Sequence, residues 1–188
     1  MDREKVKEIV HQLLVEIGED PGREGLLKTP ERFTEAIAFL TKGYSENIDD
    51  VVNGAVFSSE ANNMIILRDI EVYSLCEHHM LPFYGKCHIG YIADKKVIGV
   101  SKIARIVETY ARRLQIQERL TAQIAKEIRN CVNADGVGVV MECRHLCMMM
   151  RGVEKQNSLM TTSSVLGCFQ NSLATRQEFL NLIGRDVV

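Results

Sequence analysis

MIILRDIEVYSLCEHHMLPFYGKCHIGYI, residues 64–92, is two strand-like runs around a Cys-Glu-His-His segment. Residues 64–74 are rich in β-branched residues and partly alternate, and 84–92 form a second such run, so both read as strands. A third, 96–100, follows the short turn at Asp94-Lys95. Ser101 stands where a helix cap is expected, with Ile103, Ile106, Val107, Tyr110 and Leu114 on one face. A second helix runs from about Glu118, carrying Leu120, Ile124, Ile128, Cys131 and Val132. Residues 136–150 and 158–169 read as strands, and Thr175-x-x-Glu178 is a capping-box pattern before Phe179, Leu182 and Ile183. Strands grouped in pairs around a helix pair predict an α+β fold with an antiparallel sheet, not alternating βαβ units.

Upstream, Val6, Ile9, Val10, Leu13, Leu14 and Ile17 have the spacing of one helical face, with Gly18 as its stop. Residues 19–28, with Pro21, Gly22 and Gly25, read as a loop. Thr29-Pro30 reads as cap and first position of a helix carrying Phe33, Ala36, Ile37 and Leu40. Residues 1–45 are therefore expected to be a helical region, either a packed arm or an oligomer contact. Residues 46–188 are expected to be the main domain.

The chain has 188 residues, 46% hydrophobic and 26% charged, the composition of a globular protein. Lysine and arginine number 23 against 25 acidic residues, a net charge of −2, so no overall basic field points to nucleic acid or a membrane surface. No apolar run approaches the 18 or so residues of a spanning helix, and the charged N-terminus has no signal-peptide core. A cytoplasmic protein is expected, with its six cysteines reduced.

Two clusters carry the chemistry. Cys76-x-x-His79, with His78 between, brings soft and borderline ligands into one turn of chain, which suits zinc. His145-Leu146-Cys147 lies in a strand-like run, so His145 and Cys147 are expected on one face. A closed Cys2His2 set would be structural. Three ligands with an open position would be catalytic, because zinc lowers the pKa of a bound water to about 7. A spare histidine in each cluster favours the catalytic version, since imidazole titrates near neutrality. The bland alternative is packed histidines and a core Cys147.

Between Ser101 and Arg119 stand Lys102, Arg105, Arg112, Arg113 and Arg119 against only Glu108 and Glu118, and Arg151 follows the second cluster. A polyphosphate beside the metal would explain this; so would a solvated helix face with ordinary ion pairs. The Glu118 carboxylate, next to Gln117, suits a paired donor edge such as that of guanine, or simply a helix N-terminus.

Four segments, SLCEHHMLPFYGKCHIGY, GVSKIARIVETYARRLQIQERLT, GVGVVMECRHLCMMMRGV and TRQEFLNLI, resemble GTP cyclohydrolase I in composition and order, over about residues 20–184. The resemblance implies conversion of GTP to 7,8-dihydroneopterin triphosphate and formate. By position, Cys76, His79 and Cys147 match the family's zinc ligands, and His78 and His145 its acid–base residues. Glu118 matches the guanine anchor with Gln117 beside it, Ser101 a residue near the ribose, and Lys102, Arg105 and Arg151 the triphosphate contacts. Arg32 matches a phosphate-binding arginine supplied by a neighbouring subunit. The implied fold is the tunnelling fold, an antiparallel sheet with a helix pair on one face, and the implied assembly is a homodecamer. Cys143-Arg144 departs from the Ala-Thr that family members often carry, which leaves Cys143 a core residue, a redox liability or an alternative ligand. The rival expectations are a non-catalytic zinc-binding oligomer and a tunnelling-fold enzyme for a different purine or pterin.

Overall fold

The computed structural model describes residues 1–60 and 63–184, so the last four residues assigned to the main domain lie outside the described residues. The chain divides into two compact units, Met1–Lys42 and Gly43–Val188.

The first unit is a pair of helices, α1 (Arg3–Glu16) and α2 (Thr29–Leu40). Asp2 caps α1 by accepting from Lys5 N, as N-cap aspartates do. Thr29 is the first helical residue of α2 rather than its cap, which is Lys28. An Arg3–Glu35 ion pair at 2.8 Å links the helices. The expected apolar face of α1 is split: Val10 and Leu14 are buried, whereas Ile9, Leu13 and Ile17 are exposed.

The second unit contains α3 (Ile48–Val52), β1 (Val56–Ser58), β2 (Met64–Cys76), β3 (Pro82–Ile92), β4 (Lys96–Ile98) and α4 (Val100–Ala111). It continues with β5 (Leu114–Gln115), α5 (Gln117–Val132), β6 (Gly136–His145), α6 (Leu146–Met149), β7 (Met160–Gly167), α7 (Cys168–Asn171) and α8 (Leu173–Ile183). A five-stranded sheet has the order β5-β2-β3-β6-β7, antiparallel except for the short β2–β5 pairing. The class is α+β, as the grouping of strands predicted.

Several local expectations are corrected. β4 does not pair with β3; it pairs antiparallel with β1 in a separate two-stranded sheet. Ser101 is not the cap of α4, because Gly99 is, leaving Ser101 exposed in the first turn. The cap of α8 is Ser172, which accepts from Thr175 N at 3.2 Å, so Thr175 is inside the helix rather than at its cap. The run 136–150 is not one strand: β6 stops at His145 and α6 takes Cys147.

α4 and α5 cover one face of the sheet. Ile103, Ile106, Val107, Leu120, Ile124 and Ile128 are buried there against Val72, Phe83, Ile89, Tyr91, Val137, Val139 and Met141. Each such side chain contributes about 1.5–3 kcal/mol on leaving water. On the opposite face α7 and α8 bring Phe169 and Phe179 into a second cluster with Val140. Gly90 and Gly138 are paired there, and a Cβ on Gly138 would come within 2.7 Å of Phe169 and 3.0 Å of Phe179. Gly138→Ala is accordingly expected to cost about 1–3 kcal/mol of stability, as overpacking does, read as a lowered thermal midpoint; an unchanged midpoint would mean that the rings retreat freely.

One irregularity in β2 sets the geometry of everything downstream. Pairing with β3 runs Leu67↔Ile89 and then Ile70↔Cys87, so Arg68 and Asp69 together oppose His88. Asp69 takes a left-handed conformation, φ 60°, and its N–H donates to His88 Nδ1 at 3.2 Å. A one-residue insertion reverses which side chains face the helices. Ile65 and Leu67, partners of Tyr91 and Ile89, face α4 and α5 before the bulge, and after it so do Ile70, Val72 and Ser74, partners of Cys87, Gly85 and Phe83, and then Cys76 at the strand end. Without the bulge Cys76 would point to the other side of the sheet.

Candidate metal centre and its surroundings

The hairpin between β2 and β3 closes with Cys76 N donating to Leu81 O at 2.9 Å and Met80 N to Cys76 O at 2.8 Å. Met80 takes a left-handed φ of 54° to close the tight turn. Glu77, His78 and His79 form the tip. β5 docks alongside, pairing Gln115 with Cys76, and Glu77 N donates to Gln115 O at 3.0 Å. α5 starts two residues later, so Gln117 and Glu118 emerge beside the Cys-x-x-His turn although they lie some 40 residues away in sequence. The second cluster arrives by register: Phe83, just after the turn, pairs with His145, the last residue of β6.

The sulfurs of Cys76 and Cys147 and a ring nitrogen of His79 lie within 4.8 Å of one another. Ligand atoms about 2.0–2.3 Å from a tetrahedral zinc ion sit roughly 3.3–3.8 Å apart, so small adjustments close the set. Burial and the neighbouring Cys76 thiol push the Cys147 thiol up, and a cation would relieve that crowding by favouring thiolates. The donor set therefore fits a divalent soft-to-borderline metal. Cys147 reaches it from the first turn of α6, so the same-face argument from strand alternation was the wrong route to this placement. Among the described residues no fourth His, Cys, Asp or Glu donor joins the group, which disfavours the closed four-ligand reading. Cys143 is fully buried toward the helices and stands outside the group, its thiol pushed up to about 12 mainly by burial; it is a packing residue.

His78 Nδ1 lies 3.8 Å from Cys76 Sγ, and the ring is exposed. Arg151 Nη1 donates to His79 Nε2 at 3.2 Å. His145 stacks on Phe83 with centroids 4.7 Å apart and planes 7° from parallel, and its Nε2 is 2.8 Å from Gln117 Oε1. Burial pulls the His145 pKa down, against a pull upward from Glu118. Glu118 is exposed at the start of α5 with no ion pair or hydrogen bond among the described residues.

Three residues absent from the sequence reading, Phe83, Thr121 and Thr162, support this constellation, together with Arg119, which the sequence placed only in a basic stretch. Phe83 provides the stacking surface; counting the hairpin register back from the turn would have pointed to it. Arg119 pairs with Glu77 at the hairpin tip and donates from Nε to Gln115 Oε1 at 3.0 Å, tying the turn to α5. Thr121 and Thr162 complete the hydrogen bonds around Gln117.

The structure does not bring every expected residue to this end. Ser101, Lys102 and Arg105 lie in the first turns of α4, which follows β4 at the opposite end of the sheet, where Ile92 pairs with Met64 and Gly136. α4 rises about 15 Å between Ser101 and Ala111 before the chain reaches β5. Lys102 Nζ donates to Val51 O at 2.8 Å. Arg32 is exposed on α2 in the first unit.

A family model described as GTP cyclohydrolase I matches residues 6–184. The chain is 64% identical over 174 residues to GTP cyclohydrolase 1 of Methylococcus capsulatus, covering 93% of this chain and 94% of that one. It is 57% identical over 178 residues to the Leptospira biflexa protein of the same name, covering 95% and 97%. With the Neurospora crassa GTP cyclohydrolase 1 it shares 59% over 181 residues, 96% of this chain and 58% of that longer one. Among solved structures, an archaeosine synthase QueF-Like in the apo form aligns with TM-score 0.47 and 15% identity, over 57% of this chain and 97% of that one, too loosely to bear on the fold.

Proposed function

The chain belongs to the GTP cyclohydrolase I family, and from that premise we propose that the constellation where β2, β6, α5 and α6 meet is the place where it works. It is a hydrolase that converts GTP to 7,8-dihydroneopterin triphosphate and formate. In our reading Cys76, His79 and Cys147 hold zinc, which when bound supplies Lewis acidity and a water of lowered pKa. Glu118 accepts the ring N–H and exocyclic amine of guanine, which its free carboxylate is suited to do. His145 and His78 take up and return protons as purine bonds are hydrolysed and the ribose rearranges, the general acid–base work to which imidazole side chains are suited. Arg151, Lys102 and Arg105, with Arg32 from a neighbouring subunit, offset the triphosphate charge and supply binding energy remote from the reacting ring. The observation that carries this reading is the convergence of two thiols and an imidazole, from separate hairpin ends, beside His145 and Glu118.

The reading extends to the assembly. The ribose is bonded directly to the base, so Ser101 cannot serve the ribose of a guanine held by Glu118 of the same chain a helix length away. A second copy supplying Ser101, Lys102 and Arg105 resolves the separation. The sheet supports this. Among the described residues β7 has a partner on one side only, and on the β5 side β2 is paired only at Leu75 and Cys76. Open edges of this kind invite pairing between copies, as in the barrel of the tunnelling fold. The exposed Ile9, Leu13 and Ile17 suit burial against another subunit, consistent with residues 1–45 as an oligomer contact, 46–188 as the catalytic domain and the homodecamer as the assembly. Among the described residues no helix is long and apolar enough to cross a membrane, and a cytoplasmic setting completes the reading.

The test measures formate released from GTP alongside bound metal, with pterin fluorescence after oxidation as a second readout. Formate should rise in proportion to zinc content. Stoichiometric zinc in a folded oligomer with no formate release would return the protein to the non-catalytic class. Glu118→Ala should lower kcat/KM for GTP by about 10²-fold, the worth of a pair of charge-assisted hydrogen bonds, while other nucleoside triphosphates bind as before.

A further inference from the structure

Gln117 matches a residue beside the guanine anchor, yet it is 1% exposed and its amide is committed elsewhere. Nε2 lies 3.0 Å from Met141 O, 2.9 Å from Met160 O and 3.1 Å from Thr162 Oγ1. Carbonyl oxygens only accept, so the amide NH2 must face β6 and β7 and cannot be flipped. Oε1 is then the atom 2.8 Å from His145 Nε2. An amide oxygen also only accepts, so the proton between them belongs to His145 Nε2.

The threonines agree with this direction. Thr121 Oγ1 spends its single proton on Gln117 O at 2.7 Å. In the 2.7 Å contact between Thr162 and Thr121, Thr162 must therefore donate, which leaves Thr162 lone pairs for Gln117 Nε2. Stacking on Phe83 fixes the plane of the imidazole. Nδ1 is the ring nitrogen left over, with no hydrogen-bond partner among the described residues.

We propose that Gln117 is a positioning residue for His145, fixing the ring in one orientation with Nε2–H on Gln117 Oε1 and Nδ1 left without a protein partner. The proposal rests on the reading of His145 as an acid–base residue. The ring keeps one orientation through the cycle, which is how a second residue sets the working nitrogen of a histidine.

Two measurements decide it. In zinc-loaded enzyme with 15N-labelled histidine, the His145 signals, assigned by their loss in His145→Gln, should show pyrrole-type Nε2 and pyridine-type Nδ1. The reverse pattern overturns the proposal, and this readout needs no Gln117 variant to fold. Gln117→Leu should lower kcat about 10- to 100-fold at nearly constant KM, and the double variant with His145→Gln should be no slower than His145→Gln alone within about twofold. A raised KM at unchanged kcat would make Gln117 a substrate ligand, and multiplied losses would give it a role independent of His145; either outcome overturns the proposal. Full activity of His145→Gln would instead remove the acid–base reading itself, a failure recognisable as distinct because the nitrogen signals would be unaffected.

Discussion

Cys147→Ser is expected to lose stoichiometric zinc and GTP turnover together, with formate release down by at least about 10³-fold, since a metal contributes several kcal/mol of charge stabilisation. The reason is in the donor set. Three side chains converge on one point, and a serine hydroxyl stays protonated where a thiolate would bind, so two ligands remain. Folding should survive. Cys147 is only partly buried at the start of α6, whose place is fixed by β6 before it and by Met150 N donating to Leu146 O at 3.0 Å within it. Metal quantification beside a formate assay reads both losses, with circular dichroism as the control for fold. A zinc-free variant that turned over GTP at the normal rate would end the ligand assignment. His78→Ser is the internal comparison: its imidazole is outside the converging set, so zinc should remain while product is lost.

How far these conclusions could be read from the chain depends on the range of the interaction involved. The Cys76–His79 turn was legible because it is local: an alternating strand, four polar or turn residues, then a second strand. So were the faces of α4 and α5, whose apolar spacing matches what they bury. Cys147 was grouped with Cys76 by strand alternation, whereas a helical turn presents it. The bulge at Arg68-Asp69 left only a trace, the imperfect alternation of MIILRDIEVYS, although it decides which side of the sheet receives Cys76. β4 could not be assigned to β1 from the sequence, because nearness to β3 in the chain competes with a partner some 40 residues upstream. Gln117 was least legible. Its burial and its three acceptors come from β6 and β7, which no spacing within α5 could reveal. The separation of Ser101, Lys102 and Arg105 from Glu118 was equally hidden, since it follows from the direction in which α4 runs beneath the sheet.

His145→Gln is expected to keep its zinc and lose about 10²- to 10⁴-fold in kcat, the range for removing a general acid–base group. Glutamine is close to histidine in length and remains polar, so it can still lie against Phe83 and donate toward Gln117 Oε1; the fold around β6 has no reason to change. What it cannot do is accept a proton and return it. The ligand group does not include His145, so metal content separates this loss from the one caused by Cys147→Ser. GTP binding should hold, because Glu118 and the basic residues are untouched. A single-turnover experiment then locates the block: GTP bound at normal affinity, with formate appearing slowly or not at all. Loss of zinc from this variant would place His145 among the ligands, and unimpaired formate release would leave His78 to carry the proton transfers alone.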